Sequence, residues 1–188
     1  MIILLLTVFF FFHQADAQVK LKIHWLYRKT SNSSDTIYYN PRQKLSWENF
    51  RGRPSENDAA VAITHSGFGY DAGYESDGVN NELNITLYCY FNKRSSWVKV
   101  EGRTSYILLH EQHHFDITYL GAKKFFSALK KTVFDPVDYS RQLEVLYNQS
   151  FTEMNKLQEE YDDSTENGQL KGKQKEWNAR IDGWMRSL

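Results

Sequence analysis

Val19-Lys20-Leu21-Lys22-Ile23-His24-Trp25 alternates apolar and polar side chains, the period of a strand with one buried face. Asn32-Ser33-Ser34-Asp35 then marks a loop, and Leu45-Ser46-Trp47-Glu48-Asn49-Phe50-Arg51-Gly52-Arg53-Pro54 is a short aromatic-anchored segment closed by a Gly/Pro turn. From Ala60 to Tyr74 the chain is rich in Val, Ile, Phe and Tyr but broken by Gly67, Gly69 and Gly73, which predicts a bent or bulged strand. Turn chemistry at Asp77-Gly78 and Asn80-Asn81 leads into a clear strand from Leu83 to Asn92. These pieces predict a small antiparallel sheet in the N-terminal half.

The period then changes. Between Thr104 and Lys131 there is no proline, Thr104 or Ser105 can cap a helix, and Ile107, Leu108, Phe115, Phe125, Phe126 and Leu129 supply a face to bury. After Asp135-Pro136, the residues Leu143, Leu146, Tyr147, Phe151, Met154, Leu157 and Tyr161 recur at three and four, predicting a long amphipathic helix that stops between Tyr161 and Gly168. A last helix carries Trp177, Ile181, Trp184 and Leu188 on one face. Strands first and helices second predict an α+β fold.

The first residues change the picture of location. Met1 to Phe12 is an apolar run without a charge, followed by His13-Gln14 and the small-x-small sequence Ala15-Asp16-Ala17. This predicts a signal peptide over residues 1–17, cleaved before Gln18, and a secreted or periplasmic protein. The run is well short of the roughly 20 residues that span a bilayer. What remains of the 188 residues, 171, suits one domain over 18–188. It carries 23 basic and 22 acidic side chains, so nothing argues for a nucleic-acid partner. The lone cysteine, Cys89, excludes an internal disulfide and reads as a buried small hydrophobe rather than a nucleophile.

One segment carries chemistry. Leu109-His110-Glu111-Gln112-His113-His114-Phe115-Asp116 contains His-Glu-x-x-His inside the first predicted helix. Residues i and i+4 share a helix face, so His110 and His114 can ligate one zinc ion while Glu111, about 100° round, serves as general base toward a metal-activated water. An ordinary helix could also hold two histidines. With only six histidines in the chain, however, the metal-site reading is preferred.

A catalytic zinc takes three protein ligands and keeps a fourth position open. The extended form His-x-x-Gly-x-x-His is excluded, because position 120 is Leu120. Asp116 lies about 240° from His110 and points away, as a structural carboxylate, and His113 reads as an exposed side chain at the cleft. Two carboxylates of the next helix stay open as the third ligand. Glu153 flanks the apolar stripe, whereas Asp162 sits at a helix C-terminus where its charge opposes the macrodipole unless a cation is near. Tyr161 is a candidate oxyanion donor, although it also continues the apolar stripe.

Three stretches together resemble a known family: Leu45-Ser46-Trp47-Glu48-Asn49-Phe50-Arg51-Gly52, His110-Glu111-Gln112-His113-His114-Phe115-Asp116-Ile117, and Tyr161-Asp162 with Thr165, Gly168, Gln174 and Trp177. The chain resembles the predicted bacterial secreted zinc-dependent peptidases, grouped with the zincin metallopeptidases, over nearly its whole mature length. The resemblance implies a zincin-like fold, one zinc, His110 and His114 as ligands and Glu111 as base, and it ranks Asp162 ahead of Glu153 as third ligand. The expected function is a secreted metallopeptidase acting on a protein or peptide substrate. The chain departs from the family at Ser164 and Asn167, where related sequences carry Glu and His. That departure motivates a second reading, a catalytically impaired zincin-fold binding protein of the cell envelope.

Overall fold

A computed structural model of the chain describes residues 18–27, 34–55 and 57–188. The expected signal peptide, and part of the loop expected at Asn32–Asp35, lie outside the described residues. Strand β5 (Asn81–Asn92) is the centre of a four-stranded sheet, and its alternating burial explains why. Leu83, Ile85, Leu87, Cys89 and Phe91 point inward and are buried, while the intervening side chains are half-exposed. Each large side chain buried this way contributes about 1.5–3 kcal/mol.

Along one edge of β5 lies β4 (Ser66–Ser76), antiparallel; the other edge carries β1 (Val19–Trp25) and, further along, β2 (Thr36–Tyr38). The sheet is mixed rather than antiparallel as expected, because β1 runs parallel to β5 with Val19 opposite Asn81 and Trp25 opposite Leu87. Alternation reports which face is buried but not strand direction, and the long stretch between β1 and β5 leaves room for a parallel crossover. The glycine-broken strand divides at Thr64 and His65 into β4 and a short β3 (Ala62–Ile63), which pairs with β6 (Trp97–Val98) in a separate two-stranded ladder.

Two helices cover the inward face, and a third packs on them. Helix α1 (Ser105–Lys131) starts at Thr104, whose hydroxyl accepts from the Ile107 N–H at 3.2 Å, and ends with Lys130 and Lys131 at the favourable end of its dipole. Phe115, Ile117, Phe125 and Leu129 of α1 are buried in the core. Helix α2 (Tyr139–Thr165) crosses α1 at Gly121, where a side-chain Cβ would come within 2.8 Å of Met154 Cβ. This close approach brings the C-terminal half of α2 up to the motif. Helix α3 (Lys171–Arg186) docks through Trp177 and Ile181; it ends before Leu188, which is 52% exposed and not part of the expected apolar face. No helix among the described residues is long and apolar enough to cross a membrane.

Candidate metal centre

The i, i+4 spacing does what helix geometry requires: His110 Nε2 and His114 Nε2 lie 3.1 Å apart on one face of α1. Asp162, in the last turn of α2, brings Oδ1 to 3.2 Å from His110 Nε2 and 3.0 Å from His114 Nε2. Among the described residues these three side chains form the group able to hold a metal ion. His110 is buried, and the Asp162 side chain is 35% exposed, so the cluster opens on one side only.

The outward nitrogens decide what the inward ones can do. His114 Nδ1–H donates to Gln158 Oε1 at 2.6 Å. That carboxamide is oriented by its own nitrogen, which donates to the His114 carbonyl (2.9 Å) and to Thr118 Oγ1 (3.1 Å), leaving only oxygen to face the ring. His110 Nδ1–H donates to Gln174 Oε1 at 2.8 Å, and Gln174 Nε2 donates to the Tyr161 hydroxyl (2.6 Å) and Asn178 Oδ1 (2.7 Å). With the protons held on Nδ1, both Nε2 atoms present lone pairs toward Asp162 Oδ1, an atom that itself has no aligned hydrogen-bond donor. Three electron-rich atoms 3.0–3.2 Å apart repel unless a positive charge lies among them.

A proton or a metal cation can supply that charge. In the metal-free protein, burial works against the charged form of His114, but the adjacent Asp162 carboxylate, with Glu111 nearby, pushes its pKa up to about 9. Burial likewise opposes the Asp162 carboxylate, and the two imidazoles override it, holding its pKa well below the ordinary range. A tetrahedral zinc with bonds of about 2.0–2.2 Å spaces its ligands about 3.3–3.6 Å apart, so the triad fits after opening by a few tenths of an ångström.

Glu111 follows His110 and is buried, with Oε2 lacking any hydrogen-bond partner. It lines, together with His110, His114 and Asp162, a cavity of about 940 Å³ bounded on one side by residues 58–64 and on the other by α2. The loop from α2 to α3 closes the far end by an unusual path, since Glu166, Asn167 and Gly168 all have left-handed backbones (φ 49°, 53° and 82°). Gly168 is needed twice over. Its φ strains any other residue, and a Cβ there would sit 3.2 Å from His110 Nδ1.

The other candidates fall elsewhere. Glu153 pairs with Lys124 on a different side of α2 and is not a ligand. Asp116 is fully buried behind the motif, accepting from Tyr39 (2.6 Å), Gln112 (2.9 Å) and His113 (3.3 Å) with Lys44 at 3.4 Å; it is structural. His113, expected to be exposed, is 1% exposed, because Asp116 and Tyr161 cover it. Tyr161 is a core aromatic: its ring stacks on His110 (centroids 4.7 Å apart), and its fully buried hydroxyl accepts from Gln174 Nε2 and donates to the His110 carbonyl at 3.4 Å, so it is not free to meet an oxyanion. Cys89 is buried with its thiol pKa raised by burial, as befits a packing residue. Ser164 turns its hydroxyl to the Tyr161 carbonyl at 3.3 Å, and Asn167 lines the cavity.

Two site residues carry no role in the sequence reading, Gln158 and Gln174. The first leaves a trace, four residues before Asp162 on the same helix face. The second reaches His110 only because α3 docks across the motif. Comparison with family models, with curated proteins and with solved structures returned no match.

Proposed function

We propose that the protein is an exported, zinc-dependent metallopeptidase with a zincin-like fold that hydrolyses peptide bonds. The observation that carries this reading is the convergence of His110 Nε2, His114 Nε2 and Asp162 Oδ1, their protons drawn away by two glutamines, beside an unpartnered Glu111 carboxylate in an open cavity. The apolar leader expected at residues 1–17 supports export.

His110, His114 and Asp162 would hold the metal. A Zn²⁺ ion at such a site polarises a carbonyl and lowers the pKa of water from about 15.7 to about 7. Glu111, whose side chain lines the cavity and has one oxygen without a hydrogen-bond partner, accepts the proton of the attacking water and returns it to the leaving amine nitrogen. Asp162 supplies the one negative charge of the ligand set, and Gln158 and Gln174 keep both imidazoles in the ligating tautomer. Ala62 of β3 lies on the cavity wall between ladder pairs to β6, so its N–H and C=O face away from β6 and can pair with an extended peptide. A substrate-pairing edge is thus best assigned to the small ladder, not to the main sheet.

Ser164 and Asn167 motivate the non-catalytic alternative, yet a third ligand at Asp162 needs neither position. Purified protein tests the proposal directly. Metal analysis should find stoichiometric zinc, and casein cleavage should vanish in Glu111→Gln while zinc is retained. Zinc-loaded protein without Glu111-dependent turnover would instead support the binding module.

A further inference from the structure

Along the cavity face of α2, Asn155, Gln158 and Asp162 fall at i, i+3 and i+7, the spacing of one helical stripe. Two of the three are fully committed. Gln158 uses its oxygen on His114 and its nitrogen on His114 and Thr118, and Asp162 faces both imidazoles. Asn155 is different. It is half-buried in the wall and has no hydrogen-bond partner among the described residues.

A carboxamide offers two donors and one acceptor side by side. That pattern complements the N–H and C=O that one residue of an extended chain presents on the same edge, whereas an isolated anion or cation would use only half of it. Opposite α2, Ala62 lies between hydrogen-bonded pairs of the β3–β6 ladder, so its main-chain groups turn away from β6. An extended chain running between the two walls would meet β3 on one side and Asn155 on the other.

We infer that Asn155 is a substrate-binding residue that pairs its side-chain amide with the main-chain N–H and C=O of one residue of an extended peptide, away from the reacting bond. The inference rests on the metallopeptidase reading of the same cavity. Seven residues of helix separate Asn155 from Asp162, about 10.5 Å. An extended peptide advances about 3.3 Å per residue, so the paired amide lies about three residues from the scissile bond, on one side of it. The substrate is therefore a stretch of unfolded polypeptide, and dipeptides fall short of the contact.

Cleavage sites in β-casein are mapped by mass spectrometry, and peptides extending two or four residues to either side of one site are assayed for KM and kcat. The wild-type protein should gain affinity on extension from two to four residues on one side. Asn155→Ala should lose about tenfold of that gain, in KM rather than kcat, as expected for one or two neutral hydrogen bonds. Its melting temperature should not move, because no intramolecular bond is removed. N-methylation of the amide three residues from the scissile bond should reproduce the loss in the wild type and add nothing in Asn155→Ala. An extension gain that survives in Asn155→Ala overturns the inference. Should no Glu111-dependent cleavage occur, the metallopeptidase reading fails separately; binding of fluorescein-labelled β-casein peptides to Glu111→Gln, with and without Asn155→Ala, then decides. Equal or undetectable binding overturns the role of Asn155.

Discussion

Replacing Gln158 by leucine tests whether the outward hydrogen bonds matter as much as the inward ligands. The side chain keeps its approximate volume but removes the oxygen that accepts from His114 Nδ1 at 2.6 Å. The ring proton is then free to move to Nε2, where Asp162 Oδ1 waits at 3.0 Å, and a proton there occupies the place of the cation. Loss of such a partner typically weakens metal binding 10–100-fold, equivalent to about 1.4–2.7 kcal/mol. The rest of the network holds, because the His114 carbonyl still accepts from Thr118 and Thr118 still meets Ser66. One unsatisfied buried group costs about 1–3 kcal/mol, or a melting temperature lower by roughly 2–12 °C for a chain of this size. Competition titration against a chromophoric zinc chelator reads the affinity. A Gln158→Leu protein that binds zinc within twofold of wild type refutes the reasoning, and Gln158→Glu, which keeps the acceptor, should stay closer to wild type than Gln158→Leu.

Three further outcomes follow from other parts of the structure. Gly168→Ala should lower stability by about 1–3 kcal/mol from the left-handed backbone alone and weaken zinc binding as the new methyl presses on His110 Nδ1, measured by thermal unfolding and the same titration. Asp116→Ala strands the Tyr39 hydroxyl, the Gln112 amide and the His113 ring, so it should cost at least about 3 kcal/mol in chemical denaturation while the zinc stoichiometry of the folded fraction persists. In the presence of chelator, the raised pKa of His114, about 9 against 6.5 unfolded, makes its contribution complete below pH 6.5 and lost as pH rises through 9. Asp162, depressed, adds stability above the unfolded carboxylate pKa that disappears on acidification. Metal-free melting temperatures should therefore fall on both sides of a near-neutral maximum, and saturating zinc should flatten the alkaline fall because it requires the neutral imidazole.

How much of this was legible beforehand depends on whether a feature is local. His110 and His114 are set by one helix turn, and the motif with its capping Thr104 was readable from spacing alone. The α+β order and the inward face of β5 were readable from period. Periodicity left the third member of the cluster open, because it depends on how α2 is rotated against α1; only the resemblance ranked Asp162 first, and Asp162 is the carboxylate that joins the two histidines. Glu153 and Asp162 are nine residues apart, about 180° round the helix, so only one can face the histidines and the apolar stripe leaves both at its margins. Gly121 fixes that rotation by letting Met154 settle against α1. Likewise β1 shows its alternation but hides its direction, and His113 looks exposed until Asp116 and Tyr161 close over it. Gln174 belongs to the resemblance, but its role is hidden for the same reason, since it exists only once α3 packs.

The central claim is that His110, His114 and Asp162 together hold the metal with which Glu111 works. Zinc content and casein cleavage, measured side by side on the wild type, on Asp162→Ala and on Glu111→Gln, test it most directly. The account predicts one zinc per chain in the wild type, zinc and cleavage both lost in Asp162→Ala, and zinc kept but cleavage lost in Glu111→Gln. Undiminished zinc binding in a folded Asp162→Ala protein, or cleavage that persists in Glu111→Gln, would contradict it.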